Sequence, residues 1–192
     1  MGVLDVVEIG HPVLRETARE LSLEELASPR WQGFIDDLIE TMRARDGAGL
    51  AANQVGEPVR ICVIEVRAPN PRYPYKPAIP LRVLVNAHWE PVGDEVFENF
   101  EGCLSVPNLR GLVQRQLRAR VRYLDRHGAP HDEVVAGLCA GTHQHELDHL
   151  NGILFVDRVS DPHSLTTLAG YERFHKAEFE ARIRELVARV GS

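Results

Sequence analysis

Several things are scarce in this 192-residue sequence, and each absence narrows its function. No stretch is apolar for the roughly 20 residues a bilayer-spanning helix needs, so no membrane association is expected. Basic residues are outnumbered, 22 Lys and Arg against 28 Asp and Glu, for a net charge of −6. That argues against a basic nucleic-acid-binding face, and no direct sequence-specific nucleic-acid binding is expected. The first residues, Met1-Gly2-Val3-Leu4-Asp5, lack the basic segment and apolar core of a signal peptide. The three cysteines, Cys62, Cys103 and Cys139, form no C-x-x-C pair and are odd in number. A disulfide framework is therefore not expected, and the chain reads as cytoplasmic. No internal repeat or low-complexity tail is visible. What remains is an ordinary globular composition, 44% hydrophobic and 26% charged. The length suits one domain, over 1–192, with a real core.

Residues 1–27 carry short apolar stretches broken by Gly10 and Pro12, the pattern of an arm packed on a body. Ser28-Pro29 predicts a helix start, and Phe34, Ile35, Leu38, Ile39 and Met42 give it one apolar face. Its end is expected at Asp46-Gly47, with the glycine in the left-handed cap. Val59–Val66 is an apolar run of strand length, expected to be buried on both faces, with Cys62 as a small core hydrophobe. Residues 67–80 hold five prolines and predict an irregular loop. Leu81–Val85 and Val92–Phe97 read as strands. Leu117, Ala119, Val121 and Tyr123 alternate with Arg118, Arg120 and Arg122, a half-exposed strand with a solvated basic face. Asp125-Arg126-His127-Gly128 is a hairpin turn.

The densest chemistry lies in Gln144-His145-Glu146-Leu147-Asp148-His149-Leu150. On a helix, His145 and His149 share one face a turn apart and can bind one metal ion. Glu146 lies about 100° round from His145, off the ligand face but within reach of a water beside the metal. That is the arrangement for metal-assisted hydrolysis with a carboxylate general base. The helix is expected from about Gly137 to Asn151, with Asn151-Gly152 as its cap. His143, about 200° from His145, should point away as a packing or surface residue, and Cys139 should be inert. A final helix is expected from Asp161-Pro162 to about Val190, with Phe179, Ile183, Leu186, Val187 and Val190 as its apolar stripe.

A third ligand is sought among the cysteines. Cys103 sits in Glu101-Gly102-Cys103-Leu104-Ser105-Val106-Pro107, a short segment between strands, with Pro107 expected to stop the ladder. It could be a nucleophile, a metal ligand or an idle thiol. The H-E-x-x-H helix favours the ligand, giving Cys₁His₂ and one open position. Gly47-Ala48-Gly49-Leu50-Ala51-Ala52-Asn53-Gln54 is small and aperiodic. It is either a helix cap running into a turn or a stretch that lets another backbone approach.

Together the three blocks resemble the peptide deformylases, whose pattern is G-x-G-L-A-A-x-Q, then E-G-C-L-S, then Q-H-E-x-D-H-L-x-G. The resemblance implies an α+β single domain, mostly antiparallel sheets around a central H-E-x-x-H helix, with N-terminal and long C-terminal helices. It implies a metallohydrolase that removes the formyl group from the N-terminal formylmethionine of nascent polypeptides, near the ribosome exit tunnel. The metal would be held by Cys103, His145 and His149. Ferrous iron is the expected ion, and zinc, nickel or cobalt could take its place. Glu146 would move protons, while Gln54 and the backbone N–H of Leu104 would donate to the oxyanion. Gly47, Ala48 and Gly49 would pair with the peptide backbone. Gly141 and Thr142 would line the methionine pocket, and Glu101 and Arg110 would hold its walls. Asn53 departs from a common proline. Gly141-Thr142-His143 replaces a mostly apolar trio, which predicts a wider and wetter pocket. A zinc endopeptidase would leave the cysteine block unexplained, and a metal-stabilised module would leave Glu146 idle.

Overall fold

A computed structural model describes residues 2–67 and 75–192. Along the chain come α1 (Leu23–Ala27), α2 (Pro29–Ala44), β1 (Gly49–Ala51), β2 (Ile61–Val66), β3 (Ile79–Pro91), β4 (Val96–Cys103) and β5 (Val106–Gln116). They are followed by β6 (Arg118–Leu124), β7 (Pro130–Ala136), α3 (Gly137–His149), β8 (Thr166–Thr167), α4 (Leu168–Phe174) and α5 (Lys176–Val190). The fold is the expected α+β class. Five strands pair antiparallel in the order β1-β2-β3-β6-β7, and β4-β5-β8 form a second sheet.

The apolar run of β2 is buried on both faces because each face meets a helix. Cys62, Ile64 and Val66 pack with Leu147 and Leu150 at the α3 side. Ile61 and Val63 pack with Ile35, Leu38 and Met42 of α2 on the other. α3 is thus enclosed, and its whole length is nearly buried, His143 included. The N-terminal arm lies across this body. Ala18 N–H donates to Leu150 O at 2.9 Å, and Ile9 N–H donates to Ser105 O at 2.7 Å.

Several expectations change. Asp46 (φ 51°), not Gly47, takes the left-handed turn after α2, and its short polar side chain tolerates that conformation. Val92 does not join Phe97 in one strand, since residues 92–95 form the β3–β4 turn around Gly93 (φ 77°) and the strand starts at Val96. Pro107 does not stop the ladder but lies within β5, one residue past the Cys103–Val106 pair. The final helix does not begin at Asp161-Pro162. A short turn and β8 come first, and α4 and α5 break at His175. Half of the expected proline-rich loop, residues 68–74, lies outside the described residues, while Ile79 and Pro80 already belong to β3. β7 has polar, exposed positions and gave no strand signal, yet it pairs with β6 over its full length.

Gly152 ends α3 with φ 72°, and a Cβ there would come within 2.5 Å of Arg15 O in the arm. Gly152→Ala therefore combines left-handed strain of about 1–2 kcal/mol with a backbone clash. The expected result is a Tm lowered by roughly 2–8 °C in a thermal melt, given the usual scaling for a domain of this size.

Candidate metal centre and substrate cleft

β4 ends at Cys103, and α3 passes beneath it, so the strand end and the helix face meet. Ligand atoms of Cys103, His145 and His149 all lie within 4.8 Å of one another. Cys103 Sγ is 3.2 Å from His149 Nε2 and accepts from Gln54 Nε2 at 3.3 Å and Ser105 N–H at 3.4 Å. Burial opposes ionisation of this thiol, but the neighbouring histidines prevail and hold it well below the usual range. His145 Nδ1 donates to Glu101 Oε2 at 2.8 Å, which leaves Nε2 for the cluster. One soft and two borderline donors, buried and converging, fit a single divalent ion.

Glu101 is itself held by a buried guanidinium. Arg115 on β5 donates Nε to Glu101 Oε1 and Nη2 to Oε2, both at 2.8 Å. Its Nη1 donates to Asp148 Oδ2 at 2.5 Å, and Arg158 Nη2 reaches Asp148 Oδ1 at 2.7 Å. Glu101 is fully desolvated, yet Arg115 and His145 drive its carboxyl far below the ordinary carboxylate range. Arg115 was not read as a site residue from the sequence; the Asp of the H-E-x-D-H block was the available signal, because a buried acid on a helix needs a cation. Arg110, expected close to the site, packs over Gly102 beside Cys103 and donates to Leu109 O at 2.9 Å.

A cleft opens beside the ligands, lined by Gly47–Gly49, Gln54, Leu104, Glu146, Gly141 and Thr142 among others. The expected catalytic and substrate residues, with Cys103 and His145, therefore line one cavity, and His149 lies buried behind it. Glu146 is 4% exposed, burial raises its pKa, and its Oε2 has no hydrogen-bond partner among the described residues. A Cβ at Gly49 would sit 2.4 Å from Glu146 Oε1, so glycine is what lets the carboxylate lie against β1. The Gly47–Gln54 stretch divides: Gly49–Ala51 form β1, at the edge of its sheet, and Ala52–Val55 follow as a 3-10 turn that carries Gln54. Gln54 Oε1 accepts from Ala51 N–H at 2.9 Å, which aims the amide nitrogen at Cys103. Asn53, the departure from proline, donates its Nδ2 to His149 O at 2.5 Å. Beyond Cys103 and Leu104 a second hollow is walled by Arg110, Tyr171, Glu172 and Lys176.

Gly141 does not widen the cleft. Phe97 occupies the space, with Cζ 3.0 Å from where a Cβ would stand. The wetter character is present, since Thr142 accepts from Lys76 Nζ at 3.1 Å, and Asn99 also lines the cleft. His143 is buried rather than at the surface, and burial lowers its pKa to about 4.

Residues 3–164 match the family model described as polypeptide deformylase. A peptide deformylase of Leptospira biflexa serovar Patoc is 39% identical over 171 residues, 89% of this chain and 93% of that one. Peptide deformylase 1 of Prochlorococcus marinus is 38% identical over 187 residues, 94% and 96% of the two chains. Among solved structures, a class I type b peptide deformylase of Acinetobacter baumannii bound to Met-Ala-Ser is 41% identical, with TM-score 0.78 over 82% of this chain and 98% of that one. A Synechococcus elongatus peptide deformylase in complex with actinonin is 34% identical, with TM-score 0.74, covering 88% and 85%.

Replacing Arg115 with Met would remove the buried cation shared by Glu101 and Asp148, leaving Glu101 to His145 and Asp148 to Arg158. The expected cost is about 3–5 kcal/mol of stability in chemical denaturation. Metal affinity, measured by competition with a chelator, should fall roughly 10–100-fold as His145 loses its orientation.

Proposed function

The chain belongs to the peptide deformylase family, and on that premise we propose how its own residues carry out the reaction. It is a metallohydrolase that removes the formyl group from N-formylmethionyl nascent peptides. The observation that carries the assignment of roles is the meeting, in one cleft, of the Cys103–His145–His149 cluster with the unpartnered carboxylate oxygen of Glu146.

Cys103, His145 and His149 would hold the ion. When bound, a divalent metal supplies Lewis-acid polarisation and makes water acidic near neutral pH. Ferrous iron is the proposed ion, with zinc, nickel or cobalt as substitutes accepted by the same donors. Glu146 takes the proton of the attacking water and returns it to the leaving amine; its raised pKa suits a group that must both accept and give. As the formyl carbon becomes tetrahedral, charge gathers on its oxygen. The Gln54 side-chain amide and the Leu104 N–H donate to it, held ready by the Ala51–Gln54 and Cys103 contacts. The peptide adds to the open edge of β1 along Gly47, Ala48 and Gly49, so that its backbone supplies the register. The first side chain then points toward Gly141 and Thr142.

The proposed setting is the cytoplasm, close to the ribosome exit tunnel where formylated chains emerge. In support, no helix of the described residues is long and apolar enough to cross a membrane. The whole of 1–192 is proposed to act as one catalytic domain. Release of formate from formyl-Met-Ala-Ser, without cleavage of unformylated peptide, separates this reading from an endopeptidase.

Glu146→Gln keeps size and hydrogen bonding but removes the base. Turnover should fall at least about 100-fold with metal content unchanged; near-normal turnover would mean that another group moves the proton. The iron-loaded protein should lose activity within hours in air, because the Cys103 thiolate is open to oxidation. Nickel- or zinc-loaded protein should last longer under the same assay, and an iron form indifferent to peroxide would contradict the thiolate ligand.

A further inference from the structure

The two imidazoles of the cluster are held in different ways. His145 donates its Nδ1 to Glu101, and that contact aims the ring at the other ligands. His149 is fully buried, and its Nδ1 has no acceptor among the described residues. A ligating histidine is ordinarily oriented by a partner on its second ring nitrogen. At His149 the restraint comes from the main chain instead. His149 is the last residue of α3, where carbonyls run out of intrahelical donors. Its carbonyl accepts Gly152 N–H at 3.0 Å and Asn53 Nδ2 at 2.5 Å. The first bond alone satisfies the helix end, so the second adds a restraint rather than rescuing an orphan.

Asn53 is itself fully buried, and its Oδ1 has no partner among the described residues. The amide cannot turn over to relieve that oxygen, because a flip would set two acceptors against each other. An unpaired buried acceptor is costly, and here the cost accompanies the bond to His149 O. Asn53 also precedes Gln54 in the turn Ala52–Val55. That turn is tied elsewhere to the arm and to the Cys103 segment: Val7 N–H donates to Gln54 O at 2.8 Å, and Gln54 Nε2 to Ser105 Oγ at 3.1 Å. Among the described residues, the Asn53–His149 contact is the one hydrogen bond that joins the turn to α3. We propose that Asn53 is a positioning residue: it holds His149 by its main chain, in place of an acceptor at Nδ1, and keeps Gln54 at a fixed distance from that ligand. One side chain thereby sets the oxyanion donor against the metal site without touching substrate. This inference rests on the reading above that Gln54 donates to the oxyanion.

The test uses the metal-loaded full chain with Asn53→Leu and Asn53→Ala. The first keeps the shape of the amide without its donor, and the second cannot overpack the site. Metal affinity, measured by competition with a chelator, should fall roughly 10–100-fold in both. The visible absorption of the cobalt-loaded protein, which reads ligand geometry, should shift in both. With formyl-Met-Ala-Ser, kcat should fall about 10-fold or more with KM little changed, since misplaced groups cost turnover. The same substitutions made in Gln54→Ala should cost at least about 3-fold less, because residues that act through one another are not additive. A loss of folded protein would lower kcat by the same factor in either background, so the cycle separates positioning from stability. Parent-like chelator affinity and cobalt absorption in both variants would overturn the proposal, as would an equal loss of kcat with and without Gln54. A Gln54→Ala enzyme as active as the parent would instead sink the oxyanion role assigned above. The chelator and cobalt measurements need no turnover, and they would still show whether Asn53 holds His149.

Discussion

Arg115 is the constraint on which the site depends. It lies on β5, while its two buried acids come from different elements: Glu101 from β4 and Asp148 from α3. One guanidinium thereby joins the smaller sheet to the central helix. Cys103 ends the same strand that carries Glu101, and His149 follows Asp148 directly on α3. The distance between the sulfur ligand and the nitrogen ligands is thus set by an ion triad that touches no substrate. A buried triad of this kind gives little net stability, because desolvation offsets the attraction. Its value lies in geometry: a planar fork bound at two points to Glu101 and at a third to Asp148 tolerates few other arrangements.

The sequence made the ligands and the helix legible because their spacing is local. Two histidines four residues apart need no tertiary information to share a face. The partners of those residues were less visible, since they are brought in by pairing across sheets. Arg115 is one arginine among many in an alternating stretch, and only the β4–β5 register sets it opposite Phe97 and within reach of Glu101. The breaks in the C-terminal helix were hidden for a similar reason. Thr166 and Thr167 become strand residues by pairing with Arg110 and Leu109, a contact that no local pattern encodes. β7 shows the limit most plainly: Pro130, His131, Asp132 and Glu133 carry no apolar alternation, but pairing with β6 and ion pairs from Arg120 to Asp132 and Arg82 to Glu133 fasten the segment into the sheet.

Glycine has two different roles in the cleft, and only the structure tells them apart. At Gly49 the missing side chain makes room for a functional group, the Glu146 carboxylate. At Gly141 it makes room for a neighbour, the Phe97 ring, and the space is filled rather than left open. Sequence alone gives the same letter for both. The difference lies in what packs on the far side, which is why a small residue beside a pocket is a poor guide to that pocket's depth.

The edge strand β1 has only three residues, Gly49–Ala51. A partner strand of that length spans about 10 Å. Recognition along it, as proposed, would be through backbone groups, which every peptide carries alike. A growing chain would therefore expose everything the enzyme can grip once its first few residues are free, and nothing made later would alter the fit. The enzyme would act early and indifferently, on the identity of the beginning rather than on what the finished protein is to become. A catalogue of thousands of products would need no more than this one short ledge.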